Sequence, residues 1–248
     1  MKISIITATY NSAATVRDTL VSIQGQRHGD VEHIIVDGRS SDKTLDIVSG
    51  FPHVARILSE KDKGIYDAMN KGIGLATGEV IGILNSDDMY TDELVLDDVA
   101  KAFEDPQVMT VYADLQYVDP DNPQKIVRTW RSGLFRKRNF YYGWMPPHPT
   151  FFVRKSVYEL AGVFDLHLRS AADYELMLRI LLKHGLTASY IPRVIVKMRA
   201  GGMSNASVWN RLRANKEDRL AWKLNGLEPY FFTLYIKPLR KIHQFIIK

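Results

Sequence analysis

Asp87 and Asp88 lie directly behind a short apolar run, where carboxylates could bind a metal ion. The run occupies residues 80–84, and Asn85 and Ser86 separate it from the two aspartates. Such a run is typical of a strand buried on both faces of a parallel sheet, and open α/β sheets bind ligands just past the carboxyl ends of their strands. Adjacent carboxylates repel each other unless a cation or a ligand joins them. The same residue types favour turns and helix caps, so a metal site and a capped turn both fit this cluster.

Two more polar clusters follow predicted strands nearer the N-terminus. Thr9, Tyr10 and Asn11 end the first apolar run, and Asp37 ends the second one, at residues 31–36. A carboxylate in this position could accept a hydrogen bond from the imide N–H of a base or from a ribose hydroxyl. Asn11 equally suits the cap of a following helix.

Strands and helices alternate over the first 84 residues. Apolar runs at 3–9, 31–36, 55–59 and 79–84 predict strands, and apolar stripes of helical period between them predict helices. This alternation predicts an α/β fold built on a doubly wound parallel sheet. The polar clusters then share one edge of the sheet and form a binding crevice.

The rest of the chain predicts a more varied set of elements. In chain order these are a helix at 91–104, antiparallel strands at 108–118 and 125–130, a basic aromatic loop at 136–149, a helix at 171–183, a strand at 189–196 and a helix at 206–224. Asp173 lies near the first turn of its helix, where a capping role and a functional role are equally open. The basic aromatic loop and residues 199–204 are candidates for contacts with an acceptor or a diphosphate.

Several motifs are absent or incomplete, which narrows the chemistry. Residues 72–78 resemble a dinucleotide fingerprint with one residue too many, and they end a helix instead of following a strand, so we interpret Gly78 as a helix terminator. The chain has no P-loop motif and no G-x-S-x-G elbow. It also has no cysteine, which excludes disulfides and thiolate metal sites. The remaining candidates for chemistry are the carboxylates that line a crevice large enough for a nucleotide.

The length and composition predict one folded domain with a C-terminal appendage. The chain has 248 residues, of which 46% are hydrophobic, and it shows no convincing linker. We assign residues 1–204 to the domain and 205–248 to a basic amphipathic helical extension. No apolar run approaches the roughly 20 residues of a membrane span, and a strand pattern starts at the N-terminus without room for a signal peptide. These features predict a cytoplasmic protein.

The positive charge is concentrated near the C-terminus. Residues 204–248 contain nine Lys or Arg against three Asp or Glu, which leaves 24 against 25 for the remainder. A nucleic-acid-binding protein would carry a basic face on its folded body, so we expect no nucleic-acid partner. Residues 230–248 mix bulky apolar side chains with cations, as in segments that lie at a membrane interface. An amphipathic helix docked on the domain or on a second subunit of a homo-oligomer is the alternative.

Taken together, the ordered motifs resemble family 2 glycosyltransferases, which are inverting enzymes of the GT-A fold. The matching segments are SIITATYN (4–11), IVDGRSSDKT (35–44), SEKDKGIYDAMNKG (59–72), ATGEVIGILNSDD (76–88), GVFD (162–165) and ADYELMLR (172–179). The resemblance covers roughly residues 1–200. It implies a Rossmann-like, mostly parallel central sheet flanked by helices.

The resemblance also implies a role for each candidate residue. Asp173 matches the general base that deprotonates the acceptor hydroxyl, and Asp88 matches the ligand of a Mn²⁺ or Mg²⁺ ion on the donor diphosphate. His148 is a further candidate metal ligand, although a loop histidine packed among prolines fits as well. The residues implied in donor-nucleotide binding, with a UDP-sugar as the expected donor, are Thr9, Tyr10, Asn11, Asp37, Asp62, Asn70 and Asp87. The implied acceptor is a glycan or a lipid-linked glycan at the inner face of the plasma membrane, in the synthesis of a surface polysaccharide.

Two positions depart from the family pattern, and two other functions stay open. The D-x-D motif of the family begins here with Asn85, and Ala172 stands where many relatives have Glu beside the base. A sugar-phosphate nucleotidyltransferase also combines such a sheet with a metal, but it would carry a basic glycine-rich loop after the first strand. A non-catalytic nucleotide-sugar-binding module is the second alternative.

Overall fold

The structure, a computed structural model, describes residues 1–201 and 208–240. The sheet-forming segments are β1 (Ile3–Thr9), β2 (Val31–Asp37), β3 (Val54–Ser59), β4 (Val80–Ile83), β5 (Asp88–Tyr90), β6 (Thr110–Val118), β7 (Ile126–Trp130), β8 (Phe152–Arg154) and β9 (Ala188–Arg199). The α-helices are α1 (Val16–Gln24), α2 (Thr44–Ser49), α3 (Ile65–Leu75), α4 (Val95–Ala102), α5 (Lys137–Tyr141), α6 (Lys155–Ala161), α7 (Ala172–Leu178), α8 (Val208–Leu224) and α9 (Thr233–Leu239). A 3₁₀ turn covers His148–Thr150, and a π-helical turn, Arg179–Lys183, extends α7.

The strands form one mixed sheet whose first half is parallel. Its order is β3-β2-β1-β4-β8-β6-β9-β5, with β7 paired to β6 outside this path. The neighbours β3, β2, β1 and β4 are all parallel, whereas β8 pairs antiparallel with both β4 and β6. The predicted α/β fold is therefore confirmed. The sheet is parallel throughout only in the half that the alternating strands and helices build, because in the other half β9 pairs parallel with β6 but antiparallel with β5.

The register of the parallel half places the predicted polar clusters together. Thr9 pairs with Asp37 at the ends of β1 and β2, and Ile6 pairs with Ile83 near the end of β4. Every residue of β1 is buried, because helices cover both faces of the strand. Such double burial explains why the strands read as continuous apolar runs. The carboxyl ends of β1, β2 and β4 then meet at one edge.

Glycines allow α3 to approach this sheet closely. Gly72 faces Ile6 of β1, and a methyl group at that position would overlap the Ile6 side chain. Gly78, which we interpreted as a helix terminator, has a different role. The helix ends at Leu75, and a Cβ at Gly78 would lie 2.8 Å from the backbone oxygen of Lys2. That interpretation was wrong because the constraint comes from a neighbouring chain segment and not from the helix end.

The second half contains elements that the sequence did not predict. The strand β5 comprises only three residues, and α6 follows β8 without a break. The basic aromatic loop holds the short helix α5, and its side chains Phe140 and Trp144 are buried in the core. Trp144 donates a hydrogen bond from Nε1 to the carbonyl oxygen of Ser132 at 2.7 Å. The aromatic residues of this loop therefore pack the core.

The C-terminal helices α8 and α9 pack against α7 and α5. Trp222 is fully buried and donates from Nε1 to the Tyr174 hydroxyl at 2.9 Å. Lys237 of α9 bonds Asp218 of α8 at 2.7 Å. Two predictions fall partly outside the described residues. These are the domain boundary at 204, within residues 202–207, and the part of the membrane segment at residues 241–248. Within residues 1–201 and 208–240, no helix is both long and apolar enough to cross a membrane.

Two glycines of α3 test the close packing of this helix. Gly72→Ala should lower the free energy of unfolding by about 1–3 kcal/mol, because the added methyl group overlaps Ile6 in a close-packed interior. Gly74→Ala is the matched control, since a Cβ there contacts nothing, and it should raise that free energy by up to about 1 kcal/mol. Urea denaturation measures both. Equal effects of the two substitutions would contradict the packing described here.

Candidate functional site

The loops that follow β1, β2 and β4 are bonded to one another. The Ser41 amide donates to Asn11 Oδ1 at 2.9 Å, and the hydroxyls of Ser12 and Ser86 lie 2.9 Å apart. Asn11, a candidate cap of α1, has a positive φ of 49° and instead joins two loops. The crevice predicted from the polar clusters is thus one connected edge.

Asp37 is fully buried at the end of β2, and both of its carboxylate oxygens are engaged. Oδ1 accepts from the hydroxyls of Thr9 and Ser40, and Oδ2 accepts from the Ser59 hydroxyl and the Ser40 amide. Burial alone would raise the pKa of Asp37, but these hydrogen bonds outweigh it and hold the pKa below its ordinary value. A carboxylate has about four acceptor positions, so a base N–H would share an oxygen with one of these donors.

Tyr10, Gly38 and Asp62 form an open wall beside Asp37. A Cβ at Gly38 would overlap the Asp62 carboxylate and would lie 3.4 Å from the ring of Tyr10. The Tyr10 ring is exposed, so a planar group could stack on it. Asn70 lies apart from this wall, because its amide nitrogen and oxygen bond the backbone of Phe164 at 2.9 Å each.

Asp88 is fully buried and is only partly satisfied. Its Oδ2 accepts from Asn85 Nδ2 at 3.0 Å, whereas Asp88 Oδ1 and Asn85 Oδ1 are buried without a hydrogen-bond partner. Burial and then the charge of Asp87 raise the pKa of Asp88 well above its ordinary value, against the opposing effects of Asn85 and Arg199. Two buried oxygens without a hydrogen-bond partner, one on each residue of this bonded pair, are costly unless a ligand supplies the missing interaction.

His148 connects the Asn85 turn to Asp173. Its Nε2 lies 3.5 Å from Asn85 Nδ2, and its Nδ1 lies 3.4 Å from Asp173 Oδ2. The tautomer with hydrogen on Nδ1 suits both neighbours, since Nε2 then accepts from the amide and Nδ1–H points to the carboxylate. The sequence predicted these residues as separate candidates, and the structure brings them into one row from Asp88 to Asp173.

Asp173 lies in the first turn of α7 and is held from both sides. The Tyr66 hydroxyl donates to Asp173 Oδ1 at 3.3 Å. Burial and then the Asp173 charge raise the pKa of this tyrosine, so it stays a neutral donor. The loop before α7 is fixed by Glu217 of α8, whose carboxylate accepts from the amides of residues 169–171 and from the Ser170 hydroxyl. The C-terminal helix therefore sets the position of the loop that leads into Asp173.

Asp87 is positioned through its backbone by Arg199. This arginine is buried at the end of β9, donates to the Asp87 carbonyl oxygen at 2.9 Å and pairs with Asp18. We considered residues 199–204 for contacts with ligands. Arg199 instead shapes the turn that carries Asp87, and residues 202–204 lie outside the described part of the chain.

A cavity of about 490 Å³ lies between the Asn85 turn and α7. Asn85, Ser86, Asp87, His148 and Asp173 form a polar strip along it, and most of the remaining lining is apolar. The apolar residues among the lining include Ile65, Met69, Ile83, Phe151, Phe164, Leu176 and Met177. A polar strip in a mostly apolar cavity, with Arg169 and Ser170 at its border, fixes the orientation of a bound molecule. Of the basic aromatic loop, only His148 contributes to the lining.

The residues around Asp88 fit a divalent ion whose remaining ligands are phosphate oxygens and water. The described residues contain no group of three His, Cys, Asp or Glu side chains arranged to hold a metal. Mg²⁺ and Mn²⁺ in phosphate-transfer sites commonly take only one or two protein oxygens and complete their shell with phosphate and water. The free oxygens of Asp88 and Asn85, with His148 Nε2 nearby, match that pattern.

Four functional contacts escaped the sequence analysis. Tyr66 lies inside a segment that supported the family resemblance, so its position was a usable signal. Gly38 directly follows Asp37, and a glycine at a strand end can mark a close approach. Glu217 carried no such signal, because its partners are distant in the sequence. Arg199 was a candidate for ligand contacts, but nothing in the sequence indicated its bonds to Asp87 and Asp18.

Comparison with known proteins identifies the family. The sequence model of Glycosyl transferase family 2 matches residues 4–160. A PGL/p-HBAD biosynthesis glycosyltransferase of Mycobacterium bovis is 33% identical over 210 residues, which cover 83% of this chain and 80% of that protein.

Solved structures support the fold. Staphylococcus aureus TarS 1-349 in complex with UDP-GlcNAc matches with a TM-score of 0.71 and 19% identity, over 98% of this chain and 73% of that one. The mannosyltransferase PcManGT of Pyrobaculum calidifontis, in complex with GDP-Man and Mn²⁺, matches with a TM-score of 0.68 and 20% identity, over 98% and 70%. At these identities the likeness concerns the fold, which is of the GT-A type. Together with the family match, these findings show that the chain belongs to glycosyl transferase family 2 and is a glycosyltransferase.

Proposed function

We propose that this protein transfers a sugar from a UDP-sugar to a hydroxyl group of a glycan or lipid-linked acceptor, with inversion at the anomeric carbon. The observation that carries the proposal is a row of four side chains, in which Asn85, His148 and Asp173 line one cavity and Asn85 links them to the buried carboxylate of Asp88. Family membership supports the reaction type. The names of the relatives, which include a biosynthetic glycosyltransferase, support a role in the synthesis of a surface glycan.

The donor nucleotide is assigned to the wall beside Asp37. The base stacks on the exposed ring of Tyr10, beside the Asp62 carboxylate that takes the space a side chain at Gly38 would need. Asp37 accepts a hydrogen bond from the base, held in place by Thr9 and Ser40. Asp62 lies across Gly38 and faces the same space. Asp87 then reaches the ribose, because Arg199 holds its backbone at the end of the crevice.

The diphosphate is assigned to the Asn85–Asp88 turn. Asp88 and the Asn85 amide oxygen would hold a Mn²⁺ or Mg²⁺ ion there, and His148 Nε2 would become a further ligand by giving up its 3.5 Å contact with the Asn85 amide nitrogen. When bound, the ion neutralises the charge that develops on the leaving diphosphate. An imidazole that binds a metal through one nitrogen typically donates its other N–H to a carboxylate, and Asp173 is placed to accept it.

Asp173 is assigned as the general base. A sugar hydroxyl is a poor nucleophile, and a carboxylate within hydrogen-bond reach can take its proton as it attacks the anomeric carbon. Tyr66 and His148 orient the Asp173 oxygens from opposite sides. Since the base and the turn that binds the diphosphate lie on different walls of the cavity, the attack comes from the face opposite the leaving group.

The metal site can be tested with UDP binding. In the native protein, Mn²⁺ should tighten UDP binding by roughly tenfold, equivalent to about 1.4 kcal/mol. Asp88→Asn should abolish this enhancement, because it removes the only carboxylate at the buried end of the turn, and should leave metal-free UDP affinity nearly unchanged. Isothermal titration measures both, with the exposed Asp46→Asn as control. Failure of UDP to bind with or without metal would refute the donor assignment.

The base assignment can be tested with a neutral isostere. Asp173→Asn should lower the transfer rate by about 10²- to 10⁴-fold, because the amide cannot accept the hydroxyl proton. UDP affinity should stay within about twofold of the native value, because Asp173 lies on the acceptor side of the cavity. Donor turnover and UDP titration measure the two effects. A folded variant that has lost UDP affinity would place Asp173 in the donor site instead.

We further propose peripheral contact of the C-terminal segment with an anionic membrane. Phe231 and Tyr235 expose 87% and 67% of their surface, and Tyr142 and Tyr230 are exposed as well, whereas Leu234 and Thr233 dock α9 onto the domain. Exposed aromatic side chains flanked by cations favour a membrane interface. The helix is thus anchored on one side and free to meet lipid on the other.

Liposome partitioning tests this contact. Phe231→Ser with Tyr235→Ser should reduce binding to vesicles that contain anionic lipid by roughly tenfold, because both exposed rings are lost. Leu134→Ser with Leu160→Ser is the matched control, since it removes exposed apolar side chains elsewhere on the surface. Equal partitioning of the two double variants would reject the proposed membrane contact.

A further inference from the structure

A second groove, of about 560 Å³, lies between the loop before α7 and the outer face of α8. Its lining is basic, with Arg169 on the loop and Lys216, Arg219 and Lys223 on the helix. The helix residues fall at positions i, i+3 and i+7, so they lie on one face. All four side chains are exposed, and within the described residues none of them forms a hydrogen bond or an ion pair. His167, also in the lining, is paired with Asp165.

The nearby carboxylates offset these cations only in part, because one carboxylate faces four cations in the groove. Residues 204–248 contain only three acidic residues, Glu217, Asp218 and Glu228. Glu217 lines the groove, but its Oε2 is occupied by the amides of residues 169–171. Asp218 lies on the opposite, buried face and bonds Lys237. Three of the nine Lys and Arg residues of 204–248 therefore line this groove together with Arg169, against the single carboxylate of Glu217.

The groove adjoins the cavity that contains Asp173. Arg169 lines both of them, and it lies four residues before Asp173 on the loop that Glu217 fixes. A molecule whose hydroxyl group sits at Asp173 would therefore extend past Arg169 into the groove. The cations lie on the acceptor side, away from the wall assigned to the donor nucleotide.

Apolar side chains accompany the cations. Leu220 lines the groove on the same face of α8, and the exposed Leu224 continues this face by one turn. Leu166, on the loop beside His167, is also exposed. A groove for a free sugar phosphate would have no need of exposed leucines, whereas an alkyl chain attached to a phosphate would cover them.

We propose that this groove binds the phosphate or diphosphate group of a lipid-linked acceptor, with its alkyl chain lying along the leucines of α8. This inference rests on the proposed function, since it places the acceptor sugar at Asp173. Four unpaired cations match the charge of a diphosphate ester. Contact of the ester with Arg169, which lines both the groove and the cavity, aligns the ester with the cavity.

Binding of a soluble prenyl phosphate tests the groove. Farnesyl phosphate should bind the native protein, and raising the salt concentration should weaken it because the contact is ionic. The triple variant Lys216→Gln, Arg219→Gln and Lys223→Gln should bind it at least about tenfold more weakly, since each cation near an anionic headgroup contributes to affinity. The control is a second triple variant, Arg56→Gln with Lys101→Gln and Lys183→Gln, which removes three exposed cations elsewhere. It should bind farnesyl phosphate as the native protein does.

Parallel titrations separate the possible outcomes. UDP affinity should be equal in the native protein and in both triple variants, which shows that each is folded and that the donor site is independent of the groove. Weaker binding of inorganic phosphate and of farnesol than of farnesyl phosphate would support a site for an alkyl phosphate. Inorganic phosphate that binds as tightly would overturn the lipid-linked assignment. Unchanged affinity of the groove variant for farnesyl phosphate would overturn the site itself, whatever the outcome of the UDP titration.

Discussion

The site depends on the hydrogen bonds that Asn85 makes with its two neighbours. Its amide nitrogen donates to Asp88 at 3.0 Å and faces His148 Nε2 at 3.5 Å, and His148 continues to Asp173. An aspartate at this position, as in the usual D-x-D motif, would repel Asp88 and could donate to neither partner. The amide instead links the buried carboxylate to the imidazole, and its own oxygen, like Asp88 Oδ1, has no hydrogen-bond partner. The hydrogen bonds of the Asn85 amide therefore compensate for the carboxylate that the D-x-D motif lacks at this position.

The fold supplies the walls that this row needs. The parallel strands β1, β2 and β4 end together and carry the nucleotide wall and the Asn85 turn, whereas α7 carries Asp173 on the other side. The second wall is held by contacts from the C-terminal region: Glu217 bonds the loop before α7, and Trp222 bonds Tyr174 within it. The helix α8 thus has two faces with different uses. Its buried face positions the loop that leads into Asp173, the proposed base, and its exposed face forms the basic groove.

The sequence was informative where local pattern determines the structure. Apolar runs that end in polar residues located the strands and their shared edge, and so placed Asp37, Asp87 and Asp88 correctly along the chain. Local sequence pattern did not predict features that depend on contacts between segments far apart in the chain. Gly78 is small because β1 passes close to it, and β5 is too short to show a period. The contact between Asp18 and Arg199, which are far apart in the sequence, has no signal in spacing or composition.

The central claim is that the Asn85–Asp88 turn and Asp173 form the two walls of one transfer site. Anomalous diffraction from crystals grown with UDP and Mn²⁺ tests it most directly. The account predicts one manganese peak within about 2.5 Å of an Asp88 carboxylate oxygen, on the side of the turn that faces His148, with the uracil ring against Tyr10. A manganese ion bound away from Asp88, or UDP bound outside the crevice between Tyr10 and Asp87, would contradict the account.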